Sequence, residues 1–129
     1  MEKSVIRTEN APAPFQGAPY NQAIRVGDLV FVAGQLGLKP GDTAVEGDVA
    51  VQTEQALRNL AAILEAADSS LENLVKTSVF LQDLGDFAAM NEVYARHVGD
   101  RPPARSTVEV AKLPSGALVE IEAIAALPA

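Results

Sequence analysis

Several strand-like segments of this chain place large apolar side chains on both of their faces, and this pattern constrains the fold more than any other feature. Val30 and Val32 alternate with Leu29 and Phe31, and the segment 74–82 repeats the two-sided pattern. Only two segments have helical periodicity, and two helices can cover one face of a sheet. A second apolar face left in water would exceed the patch that monomers usually tolerate. We therefore predict a homo-oligomer in which copies of the chain cover it.

The remaining periodicities predict the order of the elements. A run with strand character on each side of Gly27-Asp28 predicts a hairpin, because this pair suits a tight turn. The order is β-β-(β)-α-β-α-β-β, with a brief strand expected at the end of the loop that follows residue 37. This is an α+β fold in which two helices pack on one face of a mixed sheet, within one domain over residues 1–129. The segments are 4–7, 21–35, 48–67, 74–82, 86–99, 105–110 and 118–127.

Both helices carry recognisable signals at their ends and on their outer faces. Asp48 is suited to begin the first helix as its N-cap, and Glu54 and Arg58 are spaced as a supportive i, i+4 ion pair. The second helix has Asp86 or Asp83 as its cap. Its inward stripe consists of Phe87, Met90, Asn91, Tyr94 and Val98.

Composition excludes several classes of function. The chain has 129 residues, a net charge of −7 and no cysteine. The acidic surface repels phosphate backbones, so nucleic-acid binding is disfavoured. Thiolate catalysis, disulfides and cysteine-bound metals are excluded, and the one histidine has no partner ligand with metal-site spacing, so no metal is expected. No signal-peptide pattern and no membrane-length apolar run occur, which predicts a soluble, cytoplasmic protein without membrane contact.

The last two strands carry the residues best suited to chemistry. Arg105 opens the strand 105–110, whose Ser106, Val108 and Val110 are expected to face a core, and Glu120 lies on the polar face of the final strand. If these strands form a hairpin, Arg105 and Glu120 become cross-strand neighbours within ~5–8 Å. Such a pair can bind a carboxylate and position a water, or it can be a simple surface salt bridge.

Two further polar residues of the second helix have two interpretations each. Asn91 interrupts an apolar stripe and either contacts a ligand or is a satisfied polar group. His97 lies in the last turn, where a cation complements the helix dipole, and this structural role is favoured over a catalytic one.

Three stretches together resemble the RidA family, also called YjgF, of reactive-intermediate deaminases. They are residues 18–35 (APYNQAIRVGDLVFVAGQ), residues 52–94, and residues 101–125 (RPPARSTVEVAKLPSGALVEIEAIA), so the resemblance extends over about residues 18–127. It implies a chorismate-mutase-like α+β fold, a homotrimer with ligand clefts between subunits, and hydrolysis of 2-imino and 2-enamino acids such as 2-aminoacrylate and 2-aminocrotonate to 2-keto acids and ammonia. No cofactor is implied, because the pyridoxal phosphate belongs to the enzyme that makes the imine.

The resemblance also implies roles for individual residues. Arg105 corresponds to the carboxylate-binding arginine and Glu120 to the water-positioning glutamate. Substrate-binding positions are Tyr20, Ala33, Gly34, Asn91 and Thr107. Relatives often have serine where this chain has Ala33 and cysteine where it has Thr107, which affects substrate preference. Two alternatives stay open, namely an endoribonuclease acting as a translation inhibitor, and a trimer that binds small carboxylates or acts as a chaperone without catalysis.

Overall fold

One six-stranded sheet with two helices on one face forms the molecule, in a computed structural model that describes residues 1–129. The strand order is β1-β2-β3-β6-β4-β5, and only β4 and β5 run parallel, so the sheet is mixed as predicted. The bounds are β1 Lys3–Ile6, β2 Ala23–Val26, β3 Leu29–Leu36, α1 Val49–Ala66, β4 Leu74–Leu81, α2 Phe87–Val98, β5 Ala104–Glu109 and β6 Val119–Ala126.

Local signals place most of these elements where the sequence predicts them. Gly27 has the positive φ of 59° that the β2–β3 turn requires. The Asp48 side chain accepts a hydrogen bond from the Val51 N–H and begins α1, and Glu54 pairs with Arg58 at 2.8 Å. The prediction of a brief strand at the end of the loop after residue 37 is wrong, since residues 37–47 consist of turns, bends and irregular chain.

The core lies between the sheet and the two helices. Along β6, and along β4 from Thr77 onward, every second residue points to the helices and is almost fully buried, whereas the intervening residues point to the open face of the sheet. An irregularity between Leu74 and Lys76 shifts this alternation at the start of β4, where Val75 is exposed. The largest fully buried apolar side chains are Leu57, Leu60, Ile63, Leu64, Leu81, Met90, Ile121, Val30, Val79 and Val119.

The predicted hairpin between the last two strands is wrong. β5 pairs only with β4, in parallel, and β6 lies on the other side of β4, between β4 and β3. The physical reason is that α2 connects β4 to β5, and such a β-α-β crossover joins parallel neighbours. β6 has small and branched apolar residues on its buried face and takes the central position, which leaves β5 at the edge.

Part of the open face of the sheet remains apolar and uncovered in the single chain, next to a small cluster of buried side chains formed by Leu36, Leu38, Leu113 and Ala117. Leu29, Phe31 and Val108 are 40%, 42% and 47% exposed. Val108 is in register with Phe80 on this open face, so the expectation that Ser106 and Val108 face a core of their own chain is wrong. The predicted two-sided strands therefore exist, and part of one of their two faces has no partner within the chain.

His97 makes a contact that the sequence did not indicate. Its Nε2 lies 2.8 Å from Oε1 of Glu54, so that Glu54 connects α2 to α1 while also bonding Arg58. The hydrogen bond from Arg58 and then the one from His97 lower the pKa of Glu54 from its ordinary value of 4.5.

Replacing Glu54 should therefore destabilise the chain in a pH-dependent way. A carboxyl whose pKa is lowered by folding stabilises the native state above its unfolded pKa, and this contribution disappears as the pH falls through the folded value. We expect Glu54→Gln to lower the free energy of unfolding by roughly 0.5–1 kcal/mol at pH 7, because the group is partly exposed. Urea unfolding at pH 7 and at pH 3.5 measures the difference.

Glu92→Gln is the matched control, because Glu92 forms only an exposed pair with Arg96, at 3.4 Å. It should have a smaller effect at pH 7. An equal loss for Glu54→Gln at both pH values would contradict the role of its charge.

Candidate functional site

Glu120 lies on the open face of the sheet, above a β-bulge in β3. β6 pairs with β3 on both sides of the bulge, where Ala33 and Gly34 stand opposite the single residue Glu122. A Cβ built on Gly34 would lie 2.9 Å from the carboxyl carbon of Glu120 and still closer to Oε2. Only glycine therefore leaves room for the carboxylate in this position.

The Glu120 carboxylate opens into a cleft of about 380 Å³, which we call the Glu120 cleft. Four residues predicted for the site come together here, namely Tyr20, Ala33, Gly34 and Glu120. The other walls are mostly apolar and include Phe15, Leu36, Leu38 and Pro114. The cleft can thus enclose a small molecule with Glu120 and Tyr20 among its few polar side chains.

The segment from residue 8 to residue 20 forms one wall of this cleft and is held by Gln22. The buried amide of Gln22 accepts a hydrogen bond from the N–H of Thr8 and donates to the carbonyl oxygens of Thr8, Ala11 and Pro12. The hydroxyl oxygen of Tyr20 accepts a hydrogen bond from the N–H of Phe15. Because that oxygen is already an acceptor, the phenol proton remains free to be donated to a ligand.

Burial changes the acidity of Glu120. Removal from water raises its pKa above the ordinary 4.5, and the negative charge of Glu122, on the same face of β6, raises it further. A carboxyl group in this environment gains a proton more readily than an exposed one, which suits a residue that exchanges protons with a ligand or a water.

Arg105 lies at the other face, on the edge strand β5, and we call this region the Arg105 edge. Arg105 is in register with Thr77 of β4, and the hydroxyl of Thr77 forms a 2.6 Å hydrogen bond with the hydroxyl of Tyr94 in α2. The side chains of Arg105 and Thr77 therefore both face the helices. The guanidinium carbon of Arg105 lies 4.8 Å from the ring centroid of Tyr94 and 5.5 Å from that of Phe87. No acidic side chain of the chain pairs with it.

Asn91 and Thr107 belong to the Arg105 edge. Asn91 follows Phe87 by four residues and precedes Tyr94 by three, so the three share one stripe of α2. Thr107 lies two residues beyond Arg105 on the same face of β5, and its buried hydroxyl has no hydrogen-bond partner. A buried hydroxyl without a partner beside an unpaired guanidinium is suited to receive a polar ligand.

The predicted contact between Arg105 and Glu120 is absent within the chain. Arg105 is in register with Thr77 and Glu120 with Phe80, on opposite faces of the sheet. Two strand spacings and three residues along the strands separate their Cα atoms by about 14 Å. The seven predicted residues therefore form two groups, four in the Glu120 cleft and three at the Arg105 edge. The alternative interpretation, a surface salt bridge between Arg105 and Glu120, is wrong as well.

The other features of the surface contribute nothing to this arrangement. No group of three or more histidine, aspartate or glutamate side chains comes together to hold a metal ion. Neither helix combines the length and the apolar character that crossing a membrane requires. A second hollow of about 410 Å³ lies along both helices, but it contains none of the predicted site residues.

Known proteins resemble the chain over almost its whole length. The model of the family described as endoribonuclease L-PSP matches residues 8–127. A RutC family protein of Pyrococcus horikoshii is 52% identical over 95% of this chain and 97% of its own length. A protein of Arabidopsis thaliana named Reactive Intermediate Deaminase A, chloroplastic, is 46% identical over 98% of this chain and 67% of its own length.

A solved structure agrees in fold as well as in sequence. The crystal structure of Escherichia coli TdcF with bound serine superposes with a TM-score of 0.89 at 39% identity, covering 97% of this chain and 99% of that one. The six-stranded sheet with two helices is thus the chorismate-mutase-like fold that the sequence resemblance implied. The chain belongs to the YjgF/RidA family, whose model carries the description endoribonuclease L-PSP.

Proposed function

We propose that the protein is a hydrolytic deaminase that converts 2-imino and 2-enamino acids, such as 2-aminoacrylate and 2-aminocrotonate, to 2-keto acids and ammonia without a cofactor. One observation carries the proposal. An arginine without an acidic partner is presented at one face of the sheet, and a carboxyl group of raised pKa stands in a cleft on the other. A 2-imino acid has a carboxylate that Arg105 can bind and an electrophilic carbon that a water held by Glu120 can attack.

Similar proteins support this substrate class. TdcF has been crystallised with serine, which carries a carboxylate next to a carbon bearing nitrogen. The Arabidopsis thaliana relative bears the name of a reactive intermediate deaminase. We transfer both properties to this chain because its identity to each protein is well above the level at which only the fold is shared.

The two groups of residues act together when the chain assembles. The Arg105 edge and the Glu120 cleft point away from each other, so one chain cannot present both to one small molecule. A second copy that covers the exposed Leu29 and Phe31 of the open face can bring its own Arg105 to the Glu120 cleft. We propose a homotrimer with one such cleft at each of its three subunit boundaries.

The proposed reaction uses each group for one task. The Arg105 guanidinium binds the carboxylate bidentately, and the Thr107 hydroxyl donates to the same group. Glu120 holds a water that adds to the imine carbon, so that the C=N double bond becomes a carbinolamine. This intermediate expels ammonia and leaves the C=O of the keto acid. An enamine first gains a proton on carbon 3 from a bound water or from protonated Glu120, which converts it to the imine. The phenol proton of Tyr20 can assist at the nitrogen.

Removal of either group should affect catalysis in a different way. With a lyase that releases 2-aminocrotonate from threonine, we expect the native protein to accelerate the appearance of 2-oxobutanoate. Arg105→Ala should abolish this acceleration, because the substrate is no longer fixed. Glu120→Gln should reduce it roughly 10²–10⁴-fold, as expected for the loss of acid–base catalysis. Keto-acid formation is followed with a coupled dehydrogenase.

Binding separates catalysis from the alternatives. Glu120→Gln should still bind 2-oxobutanoate by calorimetry, whereas Arg105→Ala should not, and the exposed Arg101→Ala should behave as the native protein in both assays. Carboxylate binding by a native protein that does not accelerate hydrolysis would instead indicate a protein that binds without catalysing.

Mixed assemblies test whether the site forms between copies. When Arg105→Ala chains and Glu120→Gln chains are refolded together at equal amounts, a cleft between neighbours receives both intact groups in about a quarter of cases, so about a quarter of native activity should return. Each variant refolded alone should stay at or below about 1% of native activity. If light scattering shows native-sized assemblies but no activity returns in the mixture, then Arg105 and Glu120 of one site are not supplied by two neighbouring copies.

The pH dependence should report the environment of Glu120. Holding and activating a water requires its ionised form, so activity should fall as the pH is lowered through its pKa, which lies above 4.5. Glu122→Gln removes a neighbouring negative charge and should move this acid limb of kcat/KM to lower pH. Glu65→Gln, on the exposed side of α1, is the control and should leave the limb in place. A limb unchanged by Glu122→Gln would argue against Glu120 as the titrating group.

The family description keeps an endoribonuclease as the second candidate. A net charge of −7 and the apolar walls of the Glu120 cleft are unfavourable for a phosphate backbone. Two results together would favour this candidate over the deaminase. The native protein would cleave RNA and lose this activity in Arg105→Ala, and the native protein would not accelerate imine hydrolysis.

A further inference from the structure

The side chain of Arg105 is held by aromatic rings and not by an acid. Arginine side chains are long and flexible, and an arginine on an edge strand without an ion pair is free to adopt many rotamers. Here the guanidinium carbon lies 4.8 Å from the ring centroid of Tyr94, within the range of a cation–π contact. Such a contact restricts the guanidinium, and although its N–H groups also reach toward the Tyr94 hydroxyl, the other donors of the fork stay available for a carboxylate.

The ring of Tyr94 is itself fixed in two ways. Only 5% of the residue is exposed, and its hydroxyl bonds the hydroxyl of Thr77 at 2.6 Å. Thr77 is the residue of β4 in register with Arg105. Strand pairing, the hydrogen bond and the cation–π contact therefore connect Thr77, Tyr94 and Arg105 in a closed arrangement, in which each contact restricts the other two.

Phe87 completes the surroundings of the guanidinium but differs from Tyr94. Its centroid is farther away, at 5.5 Å, and the residue is 41% exposed, so its ring is less restricted. Burial raises the pKa of Tyr94, against the opposing effects of the Thr77 hydrogen bond and of the charge and hydrogen bond of Arg105, so the phenol is neutral at physiological pH. A neutral, immobile ring next to the cation makes Tyr94 the principal contact.

We propose that Tyr94, oriented by Thr77, is a positioning residue that holds the Arg105 guanidinium ready for the substrate carboxylate. The inference rests on the proposed function for the identity of the ligand, but the positioning itself is a property of the free protein. Because Arg105 binds a group that does not react, its misplacement weakens binding of the substrate and of the transition state alike. Loss of the ring should therefore raise KM and leave kcat nearly unchanged.

A double-mutant cycle tests the inference. With 2-oxobutanoate as the calorimetric probe, Tyr94→Leu should raise Kd about tenfold and Tyr94→Phe, which keeps the ring, less than about threefold. In the Arg105→Ala background, where Kd can be measured only at high ligand concentration, Tyr94→Leu should add nothing. Met90→Ala removes a buried side chain from the same helix and should leave Kd unchanged, which controls for general loosening of α2.

Nuclear magnetic resonance provides a measurement without ligand. The Cδ protons of Arg105 should show an upfield ring-current shift in the native protein and in Tyr94→Phe, and this shift should be reduced in Tyr94→Leu. A native protein that shows the shift but does not bind 2-oxobutanoate would refute the proposed function and not the positioning. The inference is overturned if Tyr94→Leu leaves the shift or Kd unchanged, or if it weakens binding equally with and without Arg105.

Discussion

The position of β6 between β3 and β4 determines the rest of the structure. Its buried side chains are small or branched, which allows α1 to pack closely over the centre of the sheet. Pairing on both sides fixes which residues of β6 point away from the helices, and Glu120 is one of them. The same pairing occupies the inner edge of β4 and leaves β5 at the outer edge, where Arg105 meets α2. Both groups of the candidate site thus follow from one strand arrangement.

Local patterns predicted the elements well, because hairpin turns, helix caps and apolar alternation act over a few residues. The second helix, the Asp48 cap and the two faces of β6 all lie where their patterns indicate. The order of the strands in the sheet was harder to predict, since the short connection between β5 and β6 favoured a hairpin. The β4-α2-β5 crossover contained the correct signal, because a strand that follows a helix packed on the sheet pairs in parallel with the strand before it.

The site residues were identified by type and by resemblance, but their arrangement was not. Arg105 and Glu120 stand out in the sequence as polar residues on strands, yet alternation within each strand cannot say which face of the sheet each one occupies. The roles of Gln22, which holds the wall of the Glu120 cleft, and of Tyr94, which lies under Arg105, depend on contacts between residues distant along the chain. The sequence pattern indicated only that Tyr94 lies on the inward stripe of α2, and it did not indicate a role for Gln22.

The bulge in β3 places two residues, Ala33 and Gly34, at the cleft, and Gly34 lies against the carboxylate of Glu120. A side chain at Gly34 would displace the carboxylate of Glu120 from its position, whereas Ala33 lines the same cleft and already carries a side chain. An exchange at position 33 can therefore change the size or polarity of the cleft while the acidic group keeps its place. Substitution at this one position is thus a way to reshape the cleft that does not require the sheet to be rebuilt.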